Sequence, residues 1–195
     1  MTTKLDPETG EQIVLQRLKA RGIKIRQHHE SWWGTLIGRM AYLFFGEDFP
    51  KDDSKHGWVI CQTIGSTIWL SNNWYLGRPG LRFEILLHEE KHVDQYERYG
   101  LGSLAFGVLV MGGLYLLCLP AVWTMRAKFE KEAYQESMRA RFLIGDIPGK
   151  GFLSHMQRAF CGRGYFWMDP FPRRVETWYW RALTKAQSES ESGVP

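Results

Sequence analysis

Residues 81–100 read LRFEILLHEEKHVDQYERYG, a stretch that meets no proline and no glycine until Gly100. The preceding NNWYLGRPG at 72–80 carries the asparagine, glycine and proline that turn a chain, so a helix is predicted to open near Leu81, with Gly100 as its C-cap. Steps of three and four residues return to the same side of a helix. Ile85, His88, Glu89, His92 and Tyr96 therefore share a face, and two imidazoles and a carboxylate point inward together.

His88-Glu89-Glu90-Lys91-His92 is an HExxH motif. Histidines four residues apart on a helix bring two ring nitrogens within reach of one ion, and the intervening glutamate lies beside the water that the ion binds. Zinc lowers the pKa of that water, and Glu89 accepts its proton as general base while a carbonyl carbon is attacked. The bland alternative is a solvated helix, for which Glu90 and Lys91 speak.

A catalytic zinc takes a third protein ligand and keeps one position open. TMRAKFEKEAYQESMRARFLIG at 124–145 is a charged helical pattern ending near Gly145, and its Glu132 and Glu136 lie one turn apart on one face. One such carboxylate can bind metal while the other orients a ligand histidine. Glu130 and His155 are rivals for the third position. Without the HExxH helix, Glu132 and Glu136 beside Lys131 and Arg139 would read as an ordinary ion-paired face. His28, His29 and His56 have no partner at metal spacing and read as loop or surface residues.

HEEKH on one helix followed by EAYQE on the next resembles the gluzincins, the thermolysin-like zinc metallopeptidases that hold zinc through two histidines and a glutamate. The resemblance covers roughly residues 57–140, as a minimal single-domain form. It implies His88, His92 and Glu132 as ligands of Zn2+, Glu89 as general base, Glu136 as the partner of a ligand histidine, and a peptide or protein as substrate. Glutamate stands at 136 where the family has aspartate, and the stretch between His92 and Glu132 is long and apolar. The family also holds its substrate along an edge strand ahead of the active-site helix, for which GSTIWLS at 65–71 is the counterpart. Arg139 and Tyr165 are the candidates for stabilising an oxyanion.

Around this pair of helices the sequence implies an α+β, zincin-like domain whose small antiparallel sheet packs against the HExxH helix and the third-ligand helix. Strands are expected near 35–45, 57–63 and 66–71. EQIVLQRLKAR at 11–21 has the spacing of a short amphipathic helix, within a peripheral N-terminal segment 1–30. The run LAFGVLVMGGLYLLCLPAVW at 104–123 is uncharged and long enough for a membrane span. A span would carry Glu132 about 30 Å from the histidines, whereas Gly112, Gly113 and Pro120 offer bends. An apolar helix or hairpin under the site is thus the expectation, with membrane association through 104–123 left open. The C-terminal GRGYFWMDPFPRRVETWYW reads as aromatics closing a core in preference to stacking nucleobases, and 188–195 as a disordered tail beyond a single domain 1–187.

A chain of 195 residues, 44% hydrophobic, can bury one core of its own. Its net charge of +4 comes from 25 basic and 21 acidic residues with no polybasic tract, so nucleic acid is not the expected partner. Cys61, Cys118 and Cys161 are too scattered for a disulfide framework or a zinc cluster and fit a reducing compartment. The first thirty residues lack the apolar centre of a signal peptide, which makes a cytoplasmic location the expectation. The function implied is zinc-dependent hydrolysis of peptide bonds. The alternative is a non-catalytic assembly component or membrane-associated scaffold that retains the helix pair.

Overall fold

A computed structural model describes residues 4–27, 61–71, 74–116, 125–162 and 168–191. The strand expected at 35–45, the residues His28, His29, His56, Cys118 and Tyr165, and the end of the apolar run at 117–123 lie outside the described residues. Among those described, the order is α1 (Pro7–Ala20), β1 (Lys24–Gln27), β2 (Gln62–Ile64), β3 (Thr67–Leu70), a 3-10 turn (Trp74–Leu76), α2 (Pro79–Tyr99), α3 (Leu104–Leu116), α4 (Met125–Ile144), α5 (Lys150–Cys161) and α6 (Pro172–Glu191). Among the described residues, six helices and one three-stranded sheet make an α+β architecture weighted towards helix.

The HExxH helix has the expected ends. Pro79 occupies the first turn, where its missing N–H costs nothing, and the Gly100 N–H closes on Tyr96 O at 2.9 Å. α4 stops before Gly145, whose φ of 78° lets the Asp146 N–H return to Arg141 O at 2.8 Å.

The sheet is mixed, not antiparallel as expected. Its order is β1-β3-β2: β2 and β3 form a hairpin, while β1 runs parallel to β3 with Ile25 opposite Ile68. β3 is consequently the central strand, hydrogen-bonded on both sides, and 65–71 cannot offer the free edge that the resemblance implied. Among the described residues the edge nearer the HExxH helix is β2.

The N-terminal segment is not peripheral either. Val14 and Leu18, one turn apart on α1, are buried in a cluster with Ile68, Leu70, Phe83, Leu86 and Val93. Arg21 reaches from the end of α1 to Asp94 at 2.8 Å, tying the helix along α2.

A second cluster unites α4, α5 and α6: Tyr134 and Met138 pack with Phe152, Met156 and Phe160, and with Val175, Tyr179, Ala182 and Ala186. The aromatic C-terminal stretch therefore contributes to a core, through helical steps that the flanking glycines and prolines concealed. α6 continues through residues 188–191, expected as tail, because local side-chain bonds such as Gln187 to Glu191 at 3.0 Å support its last turn.

α3 has thirteen residues, about 20 Å of helix, and no helix among the described residues is long and apolar enough to cross a membrane. It folds back onto the end of α2. A Cβ at Gly107 would lie 2.1 Å from the Tyr96 carbonyl oxygen, so the two backbones approach at a distance that only glycine allows. Gly107→Ala is expected to push α3 off α2 and lower unfolding free energy by about 1–3 kcal/mol. An unchanged urea midpoint would show that the crossing is looser than this.

Candidate metal centre

The two hydrophobic clusters meet where α2 packs along α4. His88 and His92 occupy successive turns of α2, and Glu130 projects from α4 between them. His88 Nε2 lies 3.6 Å and His92 Nε2 3.8 Å from Glu130 Oε2, and one ligand atom from each of the three falls within 4.8 Å of the others. Ligand atoms around a tetrahedral zinc, with bonds of about 2.0–2.1 Å, stand about 3.3 Å apart. The two histidine–glutamate separations exceed that spacing by a few tenths of an ångström, and the whole group stays within 4.8 Å.

Electrostatics match. Burial pushes the Glu130 carboxyl up, but His92, then His88 and Arg126, outweigh it and hold the group down to about 2, so it is present as a carboxylate.

Of the sequence-predicted ligands, the structure brings His88 and His92 together and replaces Glu132 by Glu130. Two positions along a helix amount to about 200° of rotation, so α4 can turn only one of the two acids towards the imidazoles. Glu132 Oε2 instead accepts from Gln95 Nε2 at 3.2 Å and from Arg98 at 3.3 Å. Glu136, expected beside a ligand histidine, pairs with Arg139 at 3.2 Å. Glu136 and Arg139 line a separate charged cleft of about 260 Å³ with Arg17, Arg21, Glu90 and Lys91. That engagement also takes Arg139 away from the role of oxyanion partner. His155 is outside the close group: its ring centroid lies 6.4 Å from that of Tyr134, whose own ring stands edge-on to His88 at 4.6 Å.

Glu89 is 4% exposed. Burial pushes its carboxyl above the ordinary value, and the charge of His92 and a hydrogen bond from Thr63 Oγ1 at 2.7 Å offset only part of that. Thr63 stands on β2, and Tyr96 donates to its carbonyl at 3.2 Å. The Tyr96 phenol is pushed up to about 12 by burial, with Glu89 and Glu130 adding to the effect, and so remains a donor.

Each histidine is anchored from behind. His92 Nδ1 is 2.8 Å from Gln95 Oε1, and His88 Nδ1 is 3.3 Å from Ser137 Oγ. With both Nδ1 atoms engaged, both Nε2 atoms face Glu130, the arrangement by which outer partners aim metal-binding imidazoles. Gln95 and Ser137 were missed from the sequence, although Gln95 is three residues beyond His92 and Ser137 two turns beyond Glu130. No local pattern marks Thr63.

Compared with known proteins, the chain matches no family model, no curated protein and no solved structure.

Proposed function

We propose that the chain is a zinc-dependent metallohydrolase of the gluzincin type that cleaves peptide bonds, acting in a reducing, cytoplasmic compartment. The observation that carries this reading is the convergence of His88 Nε2, His92 Nε2 and Glu130 Oε2, with the Glu89 carboxyl supplied by the same helix. A metal ion bound there would supply Lewis acidity, polarising a substrate carbonyl and making water nucleophilic at neutral pH. Glu89, on the same helix as the two histidines, would serve as the base that accepts a proton from the attacking water and passes it to the leaving amine. Burial raises its pKa above the ordinary carboxylate value, the direction that favours its later role as proton donor. Thr63 holds the Glu89 carboxyl in place. β2, the sheet edge beside Glu89 among the described residues, offers main-chain groups to an extended peptide.

A second reading, a metal brace without turnover, is favoured by the low exposure of the three side chains: His88 13%, His92 11% and Glu130 10%. Metal analysis and a peptidase assay separate the two. The hydrolase binds one zinc per chain, cleaves an unstructured polypeptide, loses activity to a chelator and regains it with zinc, and His88→Ala abolishes both binding and cleavage. Stoichiometric zinc with no cleavage, together with a lowered melting temperature on metal removal, would establish the brace. Failure to bind zinc would end both.

A further inference from the structure

Gln95 is fully buried, and every polar atom of its side chain is committed. Its Nε2 reaches the Phe129 carbonyl at 3.0 Å and Glu132 Oε2 at 3.2 Å, while its Oε1 faces His92 Nδ1 at 2.8 Å. The two ends of a glutamine amide are not interchangeable here. Reversing it would set the amide oxygen against a carbonyl and a carboxylate, neither of which can donate, so the network itself fixes the oxygen towards His92. An amide oxygen only accepts. The neutral His92 ring must therefore carry its proton on Nδ1 and present an unprotonated Nε2 to Glu130. Ser137 gives no such instruction to His88, because a hydroxyl both donates and accepts.

The second contact acts on the other helix. Phe129 directly precedes Glu130, and its carbonyl is held by the same amide that aims His92. We infer that Gln95 is a positioning residue that presets the metal-binding tautomer of His92 and pins α4 in the register that turns Glu130 towards both histidines. Glu132, the acid two positions on, keeps the Gln95 amide from reversing. This rests on the metal reading above, but the tautomer can be observed without any metal.

Long-range proton–nitrogen correlation spectra of the metal-free, histidine-labelled chain, recorded above the pH at which imidazoles are protonated and assigned with His92→Gln, read the tautomer directly. Wild type is expected to show His92 protonated on Nδ1. Gln95→Leu is expected to lose that preference and to weaken zinc binding about 10–100-fold. A His92 proton on Nε2, or an even mixture, in the wild-type chain overturns the inference whether or not any variant folds. So does unaltered zinc affinity in a folded Gln95→Leu. If wild type shows the Nδ1 proton but takes up no zinc, the positioning of His92 stands and the metal reading falls.

Discussion

Under the proposed function, Glu89→Gln is expected to leave zinc bound, to lower peptide hydrolysis by about 10²–10⁴-fold, as loss of a general base does, and to make the metal-free protein more stable than wild type. The first two effects follow from roles: Glu89 is not among the converging ligand atoms, and an amide cannot take the proton from water. The third follows from burial. Glu89 is held in the fold with a pKa above the ordinary 4.5 because its charged form is desolvated. A carboxyl raised in this way contributes stability below pH 4.5 that is lost as pH climbs through the folded value. Glutamine has no charge to desolvate and can still accept from Thr63. The stability gap should thus be small near pH 4 and widen in favour of the variant towards neutrality. At about 2–4 °C per kcal/mol for a chain of this size, it is visible in thermal melts of chelator-treated protein. A variant less stable than wild type at pH 7 would show that Glu89 is better solvated or better paired than its surroundings imply. Retained hydrolysis would remove it from the chemistry.

Glu130→Gln and Glu132→Gln should differ sharply. Removing the Glu130 carboxylate takes away the only charged ligand of the group, and zinc affinity should fall by well over the 10–100-fold that loss of an outer partner costs. Glu132→Gln acts only through Gln95, so its effect should stay within that range. Competition titration against a zinc chelator measures both. The reverse order would restore Glu132 as the ligand and show that α4 is rotated from the position described. Glu130 also carries a pH signature opposite to that of Glu89. Its pKa of about 2 lies below the ordinary 4.5, so its contribution to the metal-free fold is present above pH 4.5 and is lost as pH falls towards 2.

The helix from 79 to 99 was legible because nothing in it interrupts a 3.6-residue period and both ends carry their chemistry, proline at the first turn and Gly100 at the last. His88, Glu89 and His92 followed from that period alone. The choice between Glu130 and Glu132 did not, because it depends on the rotation of α4 about its axis. That rotation is set by contacts distant in sequence: Gln95 on Phe129, Ser137 on His88, and the packing of Tyr134 and Met138 on α5 and α6. A local motif pattern pointed two residues too far along. The parallel pairing of β1 was hidden for a similar reason, since KIRQ is polar and short and is recruited by its neighbour β3 and not by its own alternation. α5 and α6 escaped because glycines and prolines at their flanks dominated the reading, while Phe152, Met156 and Phe160 kept a helical step.

The centre lies on the seam between two apolar clusters, with its imidazoles on one side and its carboxylate on the other. During synthesis, a chain emerged as far as α3 carries both histidines and Glu89 but lacks the acid that completes the set. The full set of candidate ligands thus comes together only after α4 has docked against α2.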